Sequence, residues 1–380
     1  MSALLRLRPA ATADMIAVFD DRATIAHACA FEVALARAEA AHGVIAPELA
    51  AAIVAGIDPA RIDPAALAEE AALAGTLAIP LVARLRAMVG GEAGGAVHRG
   101  ATSQDVADTV LMLQVRSAHR LLRADGRRVR DALAAQARNH AGRAAIGRTL
   151  LQDAMPVSFG LRLAQAARAT DDALAMLDAA VADHATLQLG GAVGTRAGMN
   201  GQGAAIAADM AEALGLSAAA PWHARRTGVA AIGAALGILI GALGKVARDV
   251  ALLAQNGVGE AREPLVAGRG GSSAMAHKRN PTGCQVALSA ATRAPGLVAT
   301  LLAGMPQEQE RGLGGWQAEG PVLADLFLLA SGSATALAVV AEGLEVDEAA
   351  IARNLATAAV GEDIGESLGI IAELLDSMKD

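Results

Sequence analysis

The sequence has no tyrosine, two tryptophans and four phenylalanines in 380 residues. Aromatic side chains are enriched in strands, and the strand-rich patterns that would accompany them are scarce here. Alanine and leucine dominate instead, and both residues favour helix. Hydrophobic residues still make up 54% of the chain. The composition therefore predicts an all-α protein with a large buried core.

Charge and cysteine are also sparse. The formal net charge is −7, which argues against nucleic acid as the main partner. Two cysteines, Cys29 and Cys284, cannot build a disulfide framework and suit a reducing cytoplasm. The apolar run at the N-terminus is too short for a signal peptide. No group of side chains has metal-ligand spacing and no redox-cofactor motif occurs, so we expect neither metal nor cofactor.

One uncharged stretch, residues 227–244, is long enough to be mistaken for a membrane span. Its apolar residues alternate spacings of three and four, as in a coiled-coil seam. The seam consists of Val229, Ile232, Leu236, Leu239, Leu243, Val246, Val250 and Leu253. It continues past the charged Lys245 and Arg248, where a membrane-facing stripe would stop. We therefore predict a buried bundle helix and no membrane partner.

Proline and glycine breaks divide the rest of the chain. Residues 1–97 are predicted to form an N-terminal helical domain, 98–345 a central domain of long helices, and 346–380 a short C-terminal helical segment. The central domain has five long helical patterns, at about 104–136, 156–187, 222–256, 281–303 and 321–341. Helices of this length need partners along them. The seam and the scarce polar cover predict a homotetramer.

The most informative stretch reads GGSSAMAHKRNP, residues 270–281, at the end of a loop that begins at Gly259. Its glycines allow positive φ, and the hydroxyls of Ser272 and Ser273 precede the cations Lys278 and Arg279. Asn280 is predicted to cap a helix that begins at Pro281. A helix N-terminus beside such a loop favours an anion. On composition alone, a solvated surface loop remains the alternative.

A second candidate segment, HRGATSQDVADT, begins at His98. Thr102 and Asp105 have the spacing of a capping box, so a plain helix cap is one interpretation. The functional interpretation is that the hydroxyls of Thr102 and Ser103 hold a carboxylate. His98 could bind substrate or simply pack.

The order of these residues resembles the fumarase/aspartase superfamily, whose signature loop is written G-S-S-x-M-P-x-K-x-N. Gly271, Ser272, Ser273, Met275, Lys278 and Asn280 match it, and Ala276 replaces the usual proline. The HKRNP ending and the H-x-G-A-T-S-Q-D segment are similar to one branch, the 3-carboxy-cis,cis-muconate cycloisomerases of aromatic catabolism (the β-ketoadipate pathway). The resemblance implies a long-helix bundle, a small polycarboxylate substrate and a homotetramer whose subunits share active sites.

The resemblance also implies roles for individual residues. Ser272 stands at the catalytic position and Lys278 beside it, while His98, Thr102, Ser103, Gln152, Ser273, Met275, Asn280 and Arg311 stand at substrate-binding positions. Arg311 could instead form a helix-end salt bridge with Glu308 or Glu310. Leu150 stands where the fumarate-releasing lyases of the superfamily have a catalytic histidine, which counts against such a lyase. A non-catalytic helical scaffold is the remaining alternative.

Overall fold

The computed structural model describes residues 4–271, 275 and 278–378, and helices dominate this part of the chain. The α-helices are α1 (Leu4–Leu7), α2 (Ala13–Val18), α3 (Asp21–Ala41), α4 (Pro47–Gly56), α5 (Pro64–Ala74), α6 (Ala78–Val89), α7 (Gly91–Ala96), α8 (Ser103–Asn139), α9 (Phe159–His184), α10 (Gly203–Leu214), α11 (Thr227–Leu253), α12 (Thr282–Ala303), α13 (Gly315–Glu342), α14 (Glu348–Ala358) and α15 (Ser367–Asp376). The all-α prediction is confirmed.

In the described part of the chain, two small antiparallel sheets accompany the helices. The first pairs β1 (Ala144–Thr149) with β2 (Gln152–Ser158), and the second pairs β3 (Ala261–Arg262) with β4 (Glu345–Val346). The predicted helix start at Pro156 is wrong, because Pro156 lies inside β2 opposite Ile146. Helix α9 begins three residues later, where the Ser158 hydroxyl accepts a hydrogen bond from the amide of Leu161 at 3.3 Å.

The five longest helices, α8, α9, α11, α12 and α13, pack side by side and form the body of the molecule. Helix α11 contacts α9, α12 and α13, and α8 contacts α9 and α13. The apolar seam of α11 is buried, with Leu236, Leu239 and Leu243 fully enclosed. The predicted buried bundle helix is thus confirmed, and its seam is filled by neighbouring helices of the same chain.

Among the helices of the described residues, α11, α12 and α13 are long and apolar enough to cross a membrane on length and composition alone. Each of these helices contains an apolar stretch of 18 residues, and the fold buries 61% of this stretch in α11 and 67% in α13. Only 22% of the corresponding stretch in α12 is buried. The N-terminal helices α2, α3 and α6 pack on α8, and α15 packs on α9. Helix α12 is therefore largely uncovered in the single chain.

Candidate active site

The segment from His98 to Asp105 forms a tight turn that leads into α8. His98 has φ +65°, in the left-handed region that non-glycine residues rarely adopt, and Gly100 follows at φ +68°. The Nδ1 atom of His98 lies 2.7 Å from Oε1 of Glu32, a buried carboxylate on α3. Thr102 and Ser103 are half-buried at the start of α8. The turn places His98, Thr102 and Ser103 at one end of the helix bundle.

Asp105 fixes this turn in place. Its carboxylate accepts hydrogen bonds from the amides of Thr102, Gly190 and Gly191, each at 2.9 Å. The Nε2 atom of His223 lies 2.8 Å from Oδ1 of the same group. The Thr102 bond is the half of the capping box that the sequence predicts. Two of the other contacts tie α8 to a glycine-rich loop about 85 residues further along the chain, and the third ties it to His223, 118 residues away. No local pattern in the sequence indicated these contacts.

Arg311 lies at the same end of the bundle. Its Nη2 donates to the carbonyl oxygens of Ala192 at 2.6 Å and Gly191 at 3.4 Å. The alternative salt bridge with Glu308 is not formed; Glu308 instead accepts a hydrogen bond from the amide of Leu313. The structure therefore brings Arg311 to the glycine-rich loop beside the His98 segment.

A fully buried ion cluster beneath the turn was missed by sequence reasoning. The guanidinium of Arg226 forms two hydrogen bonds to Asp108, at 2.8 and 2.9 Å, and pairs with Glu319 on its other side. Burial opposes a charge here, yet the two carboxylates hold the pKa of Arg226 above its ordinary value. The cluster joins the N-terminal parts of α8 and α13 to the residue that precedes α11, so it fixes the spacing of these three helices.

The signature loop lies at the opposite end of the bundle, between α11 and α12. Of the residues assigned to it, Ser272 and Ser273 lie outside the described residues. Lys278 is exposed, and its backbone amide donates to the carbonyl of Met275 at 3.1 Å. Asn280 closes the base of the loop, because its amide donates to Gly270 O at 2.8 Å and its Nδ2 to Gly271 O at 3.1 Å.

The predicted Asn280 cap of α12 is wrong. Pro281 occupies the N-cap position without a side-chain hydrogen bond, and the cap comes from Glu263 instead. The Glu263 carboxylate accepts from the amides of Gly283 at 3.0 Å and Cys284 at 2.7 Å. The amide of Thr282 donates to the Asn280 carbonyl. These amides are therefore already occupied and are not free to bind an anion.

The β1–β2 hairpin carries Gln152 at this second end of the bundle. Gln152 is exposed in β2 and pairs with Thr149 across the turn. The turn residues Leu150 and Leu151 both have positive φ, 52° and 64°, and are 95% and 80% exposed. Arg148 anchors the hairpin to buried Glu260 at 2.7 Å. A cavity of about 830 Å³ opens between the hairpin and the end of α11.

The predicted site residues thus fall into two groups. One group lies at the end of the bundle where α8 and α13 begin and α12 ends: His98, Thr102, Ser103 and Arg311. The other group lies at the end where α11 ends and α12 begins: Gln152, Lys278 and Asn280. Helix α12 has 22 residues, so the two groups are separated by roughly 30 Å at a rise of about 1.5 Å per residue. One chain does not bring them together.

Both cysteine side chains are buried. Burial raises the pKa of the Cys29 thiol to about 12, and it raises the pKa of Cys284, which also contacts Glu263. Both thiols are therefore poor nucleophiles. In the described part of the chain, no three His, Cys, Asp or Glu side chains lie close enough together to hold a metal ion.

Comparison with known proteins gives consistent matches. A family described as lyase matches residues 10–296. A 3-carboxy-cis,cis-muconate cycloisomerase of Bradyrhizobium diazoefficiens is 46% identical, over 94% of this chain and 82% of its own length. A nitrosuccinate lyase of Streptomyces davaonensis is 41% identical, over 89% of this chain and 74% of its own.

A solved structure shows the same fold. The 3-carboxy-cis,cis-muconate lactonizing enzyme of Pseudomonas putida superposes with a TM-score of 0.87 at 42% identity, over 93% of this chain and 79% of its own. The chain belongs to this lyase family, within the fumarase/aspartase superfamily that its motifs indicated.

Proposed function

We propose that the protein is a cycloisomerase that interconverts 3-carboxy-cis,cis-muconate and 4-carboxymuconolactone. The observation that carries the proposal is the 46% identity to a cycloisomerase across 94% of the chain. The exposed turn at Leu150 adds support, because leucine cannot transfer a proton where the lyases of the superfamily use histidine. The reaction would serve the degradation of aromatic acids in the cytoplasm.

The reaction requires the stabilisation of negative charge. One carboxylate of the substrate adds to a double bond, and a proton is added at the carbon beside another carboxylate. The intermediate carries a carbanion delocalised into that carboxylate. Hydroxyls, backbone amides and a lysine lower the barrier when they bind this negative charge more strongly than they bind the substrate. We assign the proton transfer to Ser272, with Lys278 stabilising the charge and no metal or cofactor required.

A complete site needs more than one chain. The hydroxyls of Thr102 and Ser103 lie roughly 30 Å from Lys278, a span that follows from the 22 residues of α12. We propose that another copy supplies the missing end, and that the assembly is a homotetramer. The uncovered face of α12 is the contact we favour. Small or polar residues with spacings of three and four line this face: Gln285, Ser289, Thr292, Gly296, Ala299 and Ala303.

A lyase that acts on a substituted succinate is the second candidate. The observation in its favour is the 41% identity to a nitrosuccinate lyase. Both reactions transfer a proton beside a carboxylate, so the same loop could serve either. An adenylosuccinate lyase is the less favoured form of this alternative because of Leu150, and a non-catalytic scaffold is disfavoured by the retained Lys278, Thr102 and Ser103.

One assay distinguishes these functions. The purified protein is incubated separately with 3-carboxy-cis,cis-muconate, nitrosuccinate and adenylosuccinate, and the ultraviolet absorbance is followed. Turnover of the muconate alone supports the cycloisomerase. Turnover of nitrosuccinate or adenylosuccinate alone would show that the protein is a lyase and contradict the cycloisomerase proposal. Turnover of none of the three compounds would favour the non-catalytic scaffold.

Substitution of Ser272 tests the assignment of the proton-transfer group. Ser272→Ala is expected to lower turnover by at least roughly 100-fold, since proton transfer by a placed side chain contributes about 10²–10⁴. Ser273→Ala is the matched control and is expected to lower it less. If Ser273→Ala is the more damaging change, the two serines have exchanged roles.

The assembly is tested by mixing inactive variants. Ser272→Ala and Thr102→Val affect opposite ends of the bundle, so a mixed assembly would contain some sites with both ends intact. Unfolding and refolding the two together should restore part of the activity, while each variant alone stays inactive. A monomer in light scattering at micromolar concentration would contradict both the assembly and the shared site.

A further inference from the structure

Glu32 is a carboxylate buried without a full set of partners. It lies on α3 in the N-terminal part of the chain and is 1% exposed. Its Oε1 lies 2.7 Å from Nδ1 of His98, and its Oε2 has no hydrogen-bond partner among the described residues. A buried carboxylate is costly unless it is paired, so the His98 ring is the contact that makes Glu32 tolerable there.

His98 is held in an unfavourable backbone conformation. Its φ of +65° lies in the left-handed region, which costs a non-glycine residue free energy and persists only where the surroundings enforce it. The neighbours on both sides do so. Arg86 donates two hydrogen bonds to the carbonyl of Val97, and Gly100 packs so closely against Met199 that a Cβ would lie 3.1 Å from its methyl group.

The contact with Glu32 decides which ring nitrogen is available. A carboxylate only accepts hydrogen bonds, so the Nδ1 atom of His98 carries the proton. The side chain is 13% exposed, and no described residue bonds to its Nε2. Nε2 therefore remains for an external partner, on the turn that also carries Thr102 and Ser103.

We propose that Glu32 is a positioning residue, which orients the His98 imidazole so that Nε2 contacts a carboxylate of the substrate. This inference rests on the proposed function for the identity of the substrate. It adds to the site a helix of the N-terminal part of the chain, which none of the motifs indicated. Glu32 does not touch the substrate; it acts through the tautomer and orientation of His98.

Glu39 offers a matched control on the same helix. It lies seven residues after Glu32, is also 1% exposed and also has an oxygen without a partner. It differs in making no hydrogen bond to an imidazole. The charged groups around Glu39 are Glu32 and Arg99, so a change there alters the same electrostatic surroundings without removing the His98 contact.

The experiment compares three variants with the wild-type enzyme. Glu32→Met keeps the length and removes the acceptor, Glu32→Gln restores a neutral acceptor, and Glu39→Met makes the control change. We expect Glu32→Met to raise KM for 3-carboxy-cis,cis-muconate by about 10- to 100-fold, the factor that a hydrogen bond to a charged group is worth. Glu32→Gln should be intermediate and Glu39→Met within about twofold of wild type. A purely structural defect would instead lower the active fraction, and hence kcat, at unchanged KM.

A second readout does not depend on turnover. The ¹⁵N chemical shifts of the His98 ring, assigned from the signals lost in His98→Gln, report which nitrogen is protonated. We expect the proton on Nδ1 in wild type, and a redistribution between both nitrogens in Glu32→Met. If the protein turns over no muconate, the proposed function fails while the shifts still test Glu32. An unchanged ¹⁵N pattern in Glu32→Met, or an unchanged KM in an active enzyme, would overturn the inference.

Discussion

Replacing Glu263 with alanine would remove the only side-chain cap that the described residues provide to α12. Glu263 is 9% exposed, and its two oxygens accept the amide hydrogens of Gly283 and Cys284 at 3.0 and 2.7 Å. Both amides are buried. Water cannot readily take the place of the carboxylate, so the variant leaves two donors at the helix N-terminus without a partner.

The size of the effect follows from these two bonds. A hydrogen bond to a charged group contributes about 1.5–3 kcal/mol, and an unsatisfied buried donor costs about 1–3 kcal/mol. Glu263→Ala should therefore lower the free energy of unfolding by about 3–5 kcal/mol. Glu263→Gln retains one acceptor and should cost about 1–2 kcal/mol.

Glu345 provides the control in the same region. It pairs with Arg262 across β3 and β4 and with Arg279 from the segment before α12, but these side chains are 33% to 55% exposed. Exposed ion pairs contribute about 0–1 kcal/mol, so Glu345→Ala should change stability little. Urea unfolding followed by circular dichroism, at one fixed protein concentration, gives all three values. If Glu263→Ala unfolds like Glu345→Ala, the capping argument is refuted.

Three further predictions concern other parts of the chain. Burial raises the pKa of the Glu39 carboxyl from 4.5 to about 8. The contribution of the protonated carboxyl to the free energy of unfolding is therefore complete below about pH 4.5 and is lost as the pH rises to about 8, by about 1.4 kcal/mol per pH unit. Glu39→Gln should flatten that part of the pH–stability curve in urea unfolding, and equal slopes would contradict the assignment. Leu150→Asn combined with Leu151→Gly should raise the thermal midpoint, because each left-handed leucine costs about 1–2 kcal/mol; a lower midpoint would show that the leucines make stabilising contacts. Cycloisomerase activity should survive exhaustive treatment with EDTA, and a loss restored by a divalent cation would reveal a metal site.

Much of the helical body could be predicted from the sequence because its signals are local. The coiled-coil spacing of α11 identified a buried helix, and the Thr102 and Asp105 pair marked the start of α8 within one residue. Such patterns depend on neighbours three or four positions apart, which the sequence displays directly. The partner of the α11 seam could not be predicted, since several long helices of this chain or of another copy would fill it equally well.

The errors arose where a distant residue replaces a local signal. Asn280 and Pro281 have the sequence of a helix cap, but Glu263, about 20 residues earlier, already occupies the amides. Pro156 is typical of a first helical position, yet pairing with β1 draws it into a strand. The Glu32 contact with His98 spans 66 residues. Tertiary contacts of this kind leave no periodic trace in the sequence.

The four contacts on Asp105 have a consequence for binding. One carboxylate joins the start of α8 to the glycine-rich loop and to His223, so these segments cannot shift independently without breaking a buried hydrogen bond. A ligand that meets Thr102 and Ser103 would find them already in position and would lose little conformational entropy in ordering them. Any induced fit must then come from the other end of the bundle, which leaves this end as the rigid template against which a substrate is selected by shape.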